Sequence, residues 1–313
     1  MKHKLPLLCL LLNSILTIFT QANAQAQISN EKAKVLIIMS SHVSKPKGEL
    51  LAELAKNQSF DLVNVNSRGK STEEIKAQWQ SAQLIMLDGI NPALSKFMFA
   101  KYEAYLKDYA NVPVISLGDL ENDKTNQGLT PEQITLLGQY YNNAGRSNYA
   151  NMMTYISQRI LANNKAVTIE KPIIMPTTGL YHDEYASKLT KDEKAFFTWL
   201  APKKNTLVIA IGIHRSVVDY EQQQVVNALI QGLEKKGAKA FAFYFDDVAK
   251  DDDSYTDLLM DEQGNSRVNL LINYRSLHYV EKRRVEFENI GVPVLHALNY
   301  TEGDEEAFAQ DHA

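Results

Sequence analysis

Cysteine is nearly absent from this chain. Cys9 is the single cysteine among 313 residues, so neither a disulfide scaffold nor a cysteine-based zinc site can be built. Glycine, with 14 residues, and proline, with 9, are also sparse, which excludes collagen-like and low-complexity chains. With 45% hydrophobic residues, the length fits about two domains with ordinary hydrophobic cores.

An excess of positive charge is also missing. The chain has 33 Lys and Arg against 37 Asp and Glu, which gives a formal net charge of −4. This balance provides no basic field for a nucleic acid or for an anionic membrane surface. We therefore expect no nucleic-acid partner.

Several familiar enzyme motifs do not occur. The sequence has no G-x-x-x-x-G-K-[ST] loop, no G-x-G-x-x-G after Met39 or Ile213, no G-x-S-x-G and no H-E-x-x-H. These absences argue against a P-loop ATPase, a dinucleotide-binding enzyme, an α/β-hydrolase and a zincin. The acidic stretch 246–253 lacks the glycine and spacing of an EF-hand, which favours a solvated loop.

The N-terminus has the pattern of a secretory signal peptide. Lys2 and Lys4 precede an apolar run from Leu5 to Phe19, which is short for a membrane span. The small-x-small sequences at 22–24 and 24–26 are typical cleavage sites. We expect residues 1–26 to be removed on export to the periplasm or outside, and the alternative is an uncleaved anchor. The mature chain would have a net charge of −4 − 2 = −6 and no thiol.

The rest of the chain alternates apolar strands with amphipathic helices, twice over. In the first half we predict strands at 34–39, 60–65, 83–87 and 112–117, and in the second half at 206–213, 239–245, 269–273 and 292–298. We also predict a helix that begins with a capping box of Ser71 and Glu74, and one long helix at 218–236 that ends at Gly237. Apolar strands alternating with helices indicate parallel sheets covered on both faces. The prediction is an α/β chain of two flavodoxin-like, three-layer units in tandem, joined by a helical and irregular connector. The expected domains are residues 27–165 and 166–313.

The predicted strands indicate where a ligand-binding site should lie. Ligands of open parallel sheets bind outside the carboxyl ends of the strands, at the point where the strand order reverses. In the second half the loops there carry His214 with Arg215, and Tyr274 with Arg275, and His278 follows. Arginine can clamp carboxylates, and histidine can bind a metal or move a proton. Ordinary loop residues are the alternative interpretation.

Two further groups of residues are candidates, of which the second is weaker. Tyr181 and His182, in a connector stiffened by proline and glycine, could present a ligand to a cleft, or His182 could be a structural turn residue. The corresponding loops of the first half carry Ser40, Ser41, His42, Asp88 and Gly89, for which we favour a structural role. The predicted ligand-binding residues are Tyr181, His182, His214, Arg215, Tyr274 and Arg275, of which His182 and His214 are the candidate metal ligands.

Segments of the second half resemble a known family. The segments 145–152, 176–182 and 211–216 are similar to elements of the cobaltochelatase large subunit and of its relative, the magnesium chelatase H subunit. The runs 226–238, 270–273 and 292–295 follow in the same order, so the resemblance spans about residues 140–298. One departure is Asp183, which stands where the family's Gly-hydrophobic-Tyr-His-Pro element has proline.

The resemblance implies a tetrapyrrole as ligand. The family inserts a divalent metal into a corrinoid or porphyrin, forming nitrogen–metal bonds, and works with separate ATPase subunits. Its members are several times longer, so we expect this chain to correspond to the N-terminal portion and to lack the catalytic region. Export would also separate it from ATP. No cofactor is certain, and a tetrapyrrole and cobalt, magnesium or iron are possible ligands.

Two functions follow as expectations. The first is an exported chelatase-like protein that binds a tetrapyrrole and takes part in metal insertion or removal, incomplete by itself or dependent on a partner. The second is a non-catalytic periplasmic module linked to haem or corrinoid uptake. Candidate partners are the remaining part of a chelatase large subunit or an uptake receptor. A sugar- or peptide-binding protein is a distant third.

Overall fold

The structure is a computed structural model that describes residues 32–109, 111–120, 126–245, 254–275 and 280–297, with 306, 309 and 310. Every predicted strand is present. The strands are β1 Ala33–Met39, β2 Phe60–Asn66, β3 Ala82–Asp88, β4 Val114–Ser116, β5 Thr178–Tyr181, β6 Leu189–Thr190, β7 Val208–Gly212, β8 Lys239–Phe245, β9 Leu270–Asn273 and β10 Val294–His296.

The helices lie between the strands, as the alternating pattern predicts. They are α1 Lys45–Ala55, α2 Thr72–Ala77, α3 Pro92–Leu106, α4 Pro131–Asn143, α5 Gly145–Tyr155, α6 Glu193–Leu200, α7 Ser216–Asp219, α8 Gln224–Lys235, α9 Ser254–Leu259 and α10 Val280–Ile290. A 3₁₀ turn, Lys107–Tyr109, follows α3, and a π-helical segment, Ile156–Leu161, follows α5.

The chain folds into two compact units. One comprises the residues up to Val43, Leu54–Thr130 and Ile156–Val167, and the other comprises Ser44–Glu53, Pro131–Tyr155 and the residues from Thr168 onwards. Parts of the chain before the expected boundary at residues 165 and 166 therefore contribute to the second unit.

The first unit contains a parallel sheet with the order β2-β1-β3-β4, which is the order of a flavodoxin-like sheet. Local signals in the sequence fix its helices. Ser71 and Glu74 form the predicted capping box of α2, and Asn91 caps α3 just before Pro92. Trp79 is fully buried and makes edge contacts with three tyrosines at 102, 105 and 109.

The second unit contains a mixed sheet with the order β10-β9-β7-β8-β5-β6. Its strands β7 to β10 are parallel and repeat the order of the first sheet. The connector adds two strands, because β5 pairs antiparallel with β8, and β6 pairs antiparallel with β5. The tandem α/β prediction is confirmed, and these two antiparallel strands are an addition that the sequence analysis did not contain.

Strand β8 shows why the second sheet is buried on both faces. Phe241, Phe243 and Phe245 pack into one hydrophobic cluster, whereas the alternate residues Ala242 and Tyr244 pack into the cluster on the opposite face. Side chains alternate along a strand, so a strand that is apolar at every position needs a layer on each side. The three-layer arrangement follows from this.

The predicted long helix at 218–236 is wrong as one element. The chain forms α7, a turn and then α8, because Glu221 adopts a left-handed backbone with φ of 58°. A non-glycine residue in that region interrupts the helical hydrogen bonds. The end of the helix is as predicted, since Gly237 has φ of 90° directly after α8.

Candidate functional site

The carboxyl ends of β7 and β9 bring four of the predicted residues to one edge of the second sheet. The two strands are adjacent and parallel, with Gly212 opposite Asn273 in the register. His214 and Arg215 therefore follow β7 at the edge where Tyr274 and Arg275 follow β9. This is the edge at which parallel sheets bind ligands.

Arg275 lies at the centre of this edge and is almost completely buried. Its guanidinium donates to the carbonyl oxygen of Ile213 at 3.1 Å and to that of Phe245 at 2.8 Å. The same group stacks over the Phe245 ring, 3.9 Å from its centroid. Arg275 thus joins the ends of β7 and β8, and this positioning role was not predicted.

Arg215 is similarly engaged within the chain. Its Nε lies 3.1 Å from a carboxylate oxygen of Asp219 one helical turn away, and its NH2 donates to the carbonyl oxygens of Asn142 and Asn143 at 3.2 and 3.0 Å. These carbonyls end α4. The Arg215 side chain therefore fixes the β7–α7 loop against α4.

Asn273 connects several groups at the edge. Its Oδ1 accepts hydrogen bonds from the Tyr255 hydroxyl at 2.7 Å and from the backbone N–H of Arg275 at 3.3 Å. Its Nδ2 donates to the Arg275 carbonyl and to Nδ1 of His296, both at 3.1 Å. Asn273 is fully buried, so its contacts with Tyr255 and Arg275 are shielded from water, and its contact with His296 is partly buried.

His296 was missed as a site residue, although its strand was predicted. It ends β10 opposite Asn273 and is exposed, so it lies at the same edge as His214. The predicted strand at 292–298 could have identified His296. A parallel strand there brings its carboxyl end, and so His296, to this edge.

A buried ion pair beside the edge was also missed. Arg283 and Glu286 of α10 pair with each other and are both almost completely buried. The other carboxylate oxygen of Glu286 accepts the backbone N–H of Tyr255 at 2.9 Å. This pair holds the first residues of α9 and so orients Tyr255 towards Asn273.

Tyr181 and His182 lie apart from the other four residues, because β5 is separated from β7 by β8. Strand β5 runs antiparallel to β8, with Tyr181 opposite Ala242. Ala242 is itself opposite Ile211 of β7, so Tyr181 and His182 lie level with the middle of the sheet, and the chain runs from there towards the amino ends of the parallel strands. The prediction assumed a connector loop, and the antiparallel pairing decided the direction.

His182 is 1% exposed and packed in the protein. Its Nδ1 accepts the backbone N–H of Glu184 at 3.1 Å, and its Nε2 lies 3.6 Å from a carboxylate oxygen of Glu234. Trp199 covers the ring edge-on at 4.9 Å between centroids. The engaged Nδ1 and the packing against Trp199 fit the structural alternative for His182.

Tyr181 is buried next to His182. Its hydroxyl donates to Oδ1 of Asn227 in α8 at 2.9 Å. Burial raises the pKa of the Tyr181 hydroxyl, and the hydrogen bond to Asn227 partly opposes this. The phenol stays neutral and serves to attach β5 to α8.

The weaker candidates of the first unit are consistent with structural roles. Ser40 and Asp88 are buried at the ends of β1 and β3, and Asp88 Oδ1 accepts the backbone N–H of Ile90 at 3.2 Å. Gly89 is required by packing, because a Cβ there would lie 2.4 Å from the backbone nitrogen of Ser95. His42 is exposed. His278 and the acidic stretch 246–253 lie outside the described residues.

The described residues contain neither a metal cluster nor a membrane-spanning helix. No group of three or more His, Cys, Asp or Glu side chains among them could hold a metal ion. In the same part of the chain no helix combines the length and apolar character needed to cross a membrane.

Known proteins show what the chain is similar to. The model of the family described as CobN/Magnesium Chelatase matches residues 138–313. The catalytic subunit of cobaltochelatase from Mycobacterium tuberculosis superposes with a TM-score of 0.55 and 14% sequence identity, covering 88% of this chain and 22% of that chain. At this identity the likeness shows the fold alone. The chain thus spans about a fifth of that subunit's length.

A second solved structure is only weakly similar to this chain. A 3-phosphoglycerate dehydrogenase from Entamoeba histolytica covers 89% of this chain and 84% of that chain at 9% identity, with a TM-score of only 0.27. No curated protein sequence matches the chain significantly.

Proposed function

Because this chain belongs to the CobN/magnesium chelatase family, we propose that it binds a tetrapyrrole and takes part in metal insertion or removal together with partner subunits. The observation that carries the proposal is the family match over residues 138–313, which includes the whole carboxyl edge of the second sheet. The tetrapyrrole is the ligand, and the divalent metal is cargo.

The geometry of the edge supports a binding role. Arg275, Asn273 and Arg215 are held by hydrogen bonds within the second unit, so the edge is rigid before a ligand arrives. A preorganised surface loses little conformational entropy on binding. His214 and His296 are exposed on this rigid support, and we propose that the ligand contacts them there.

The direct test is an absorbance titration of the purified chain with haem, metal-free protoporphyrin and cobyrinic acid. We expect saturable binding with a change in the tetrapyrrole absorption bands. The matched control is His42→Ala, which removes an exposed imidazole from the first unit and should leave the affinity unchanged. Absence of saturation with all three ligands would contradict the proposed function.

A further inference from the structure

Exposed lysines collect at the amino end of the second sheet. Helix α6 leads into the loop 201–207, which precedes β7, and α8 leads through a short turn into β8. Since β7 and β8 are adjacent and parallel, both connections lie at the same end of the sheet. They carry four exposed lysines, namely Lys203, Lys204, Lys235 and Lys236.

Two large apolar side chains are exposed at the same end of the sheet. Leu207 is 60% exposed, and its carbonyl oxygen accepts the backbone N–H of Lys239 at 2.8 Å, so it lies where the two connections meet. Trp199, in the last turn of α6, is 38% exposed. We call the surface formed by the four lysines and these two residues the basic end.

Side-chain contacts beneath this surface join Trp199 to α8. The Trp199 ring meets the His182 ring edge-on, with 4.9 Å between the centroids. His182 Nε2 lies 3.6 Å from one carboxylate oxygen of Glu234, and the other oxygen lies 3.7 Å from Lys239 Nζ. Glu234 directly precedes the lysine pair at the end of α8. The basic end is therefore one continuous surface.

The positive charge of the basic end is largely uncompensated. Within the described part of the chain, none of its four lysines has an ion-pair partner. Of the nearby acids, Glu184 is exposed, whereas the side chains of Asp183 and Glu234 are only 19% and 22% exposed. The net charge of −4 for the whole chain, which predicts no basic field, therefore conceals a local one.

Lysines around an exposed tryptophan and leucine fit the surface of an anionic membrane. Tryptophan favours the lipid headgroup region, which is apolar on one side and wet on the other, and lysines near it are attracted to anionic headgroups. Protein interfaces, by contrast, are depleted of lysine. We propose that the basic end binds the chain reversibly to an anionic phospholipid membrane, with Trp199 and Leu207 entering the headgroup region.

The two ends of the second sheet then have different roles. The basic end lies at the amino ends of β7 and β8, whereas His214 and His296 lie at the carboxyl edge. The acidic stretch 246–253 follows β8 in the sequence, and its carboxylates are repelled by anionic lipid. A membrane-bound chain therefore presents the proposed tetrapyrrole site to the solvent.

Sedimentation with lipid vesicles tests the proposal on the full-length chain. Vesicles that contain phosphatidylglycerol should bind it at least about tenfold more tightly than vesicles of phosphatidylcholine alone, and added salt should remove the difference. The neutral vesicles also measure any binding by the apolar N-terminal residues 5–19, which every variant retains.

Two double variants with the same charge change locate the contact. Lys203→Gln with Lys204→Gln should weaken binding to the anionic vesicles about thirtyfold, since each lysine near the surface contributes roughly fivefold. Lys96→Gln with Lys101→Gln, at two exposed positions of α3 in the first unit, should leave binding unchanged. Equal losses in the two double variants would overturn the proposal.

Tryptophan fluorescence reports the apolar part of the contact. The chain has two tryptophans, of which Trp79 is fully buried, so quenching by brominated lipid reports Trp199. We expect quenching with brominated phosphatidylglycerol vesicles and none with Trp199→Phe, which keeps an aromatic ring against His182. Vesicle binding without quenching would place the contact elsewhere and overturn the proposal.

Two further measurements separate this surface from other partners. Binding to soluble polyglutamate but not to anionic vesicles would overturn the proposal in favour of an acidic protein partner. The variant with Lys203→Gln and Lys204→Gln should bind protoporphyrin like the parent, because neither lysine lies at the carboxyl edge. Lower affinity for protoporphyrin in this variant would contradict the separate roles of the two ends.

Discussion

At the carboxyl edge of the second sheet, a single buried residue connects several neighbouring groups through hydrogen bonds. Asn273 makes four such contacts while fully buried. An amide at this position satisfies two donors and two acceptors simultaneously. Gly212 makes room for it, because a Cβ there would lie 3.0 Å from Asn273 Oδ1.

Replacing Asn273 by alanine should therefore be costly. The substitution removes the hydrogen bonds of Asn273 to the buried Tyr255 hydroxyl and to the Arg275 backbone, and each lost hydrogen bond costs about 0.5–1.5 kcal/mol. We expect the free energy of unfolding to fall by about 2–4 kcal/mol, as measured by urea denaturation.

Asn227→Ala is the matched control for this prediction. Asn227 is partly exposed on α8 and accepts one hydrogen bond, from Tyr181. Its loss should cost about 1 kcal/mol or less, and alanine favours the helix. Equal destabilisation by the two substitutions would refute the assigned role of Asn273.

The guanidinium of Arg146 connects helices of the second unit. Arg146 in α5 donates to both carboxylate oxygens of Glu53 in α1, at 2.8 and 3.2 Å, and to both of Glu221 after α7, each at 2.7 Å. These hydrogen bonds lower the pKa of Glu221. The Arg146 side chain remains 42% exposed, so water and salt screen the interaction.

The Arg146→Gln substitution should lower stability by up to about 1 kcal/mol at low salt. The contribution of Glu221 is complete above its ordinary pKa of about 4.5 and is lost as the pH falls through its lowered folded pKa. The difference in the free energy of unfolding between the variant and the parent should thus become smaller in acid and at high salt. Chemical denaturation at pH 7 and pH 3, with and without salt, measures it.

Arg284→Gln provides the comparison within one helix. Arg284 pairs with Glu281 and Glu288 of the same helix α10 and is exposed. Such local pairs contribute about 0.3–0.5 kcal/mol. If Arg284→Gln destabilised the protein more than Arg146→Gln, the cross-helix role of Arg146 would be disproved.

At the scale of the whole molecule the chain is an α/β protein with two compact units. Its first unit has a purely parallel sheet, and its second has a parallel sheet extended by two antiparallel strands from the connector. The family match begins at residue 138 and therefore covers almost the entire second unit.

Export is the prediction that concerns the whole chain. We propose that residues 1–26, which lie outside the described part of the structure, direct secretion and are removed. Mass spectrometry of the exported protein should show loss of residues 1–24 or 1–26. Full-length protein retained in the membrane fraction would contradict the proposal.

Ala24 allows a sharper version of this experiment. It is the last residue of the first small-x-small site and the first residue of the second, so Ala24→Phe should block cleavage at both. The neighbouring Asn23→Gln, at a position where size is tolerated, should be processed like the parent.

The sequence by itself determined the eight strands of the two parallel arrays, their order and the edge at which four candidate residues meet. Short apolar runs rich in β-branched or aromatic residues, such as 34–39 and 239–245, favour buried strands, and parallel strands place their carboxyl ends together. Local chemistry was equally readable, as in the capping box at Ser71 and Glu74. The family resemblance over about residues 140–298 was also found in the sequence, and it is confirmed by the match at 138–313.

Tertiary structure decided what depends on residues distant in the sequence. Whether β5 runs parallel or antiparallel depends on its pairing with β8, some sixty residues away, and this decides the direction in which the chain leaves β5 at His182. Beside the Asp219 carboxylate, the partners of Arg275 and Arg215 include backbone carbonyls, which carry no side-chain signature. The contact between Asn273 and His296 depends on the orientation of the Asn273 amide, which the Arg275 backbone fixes. No local pattern encodes these contacts, because folding alone brings their atoms together.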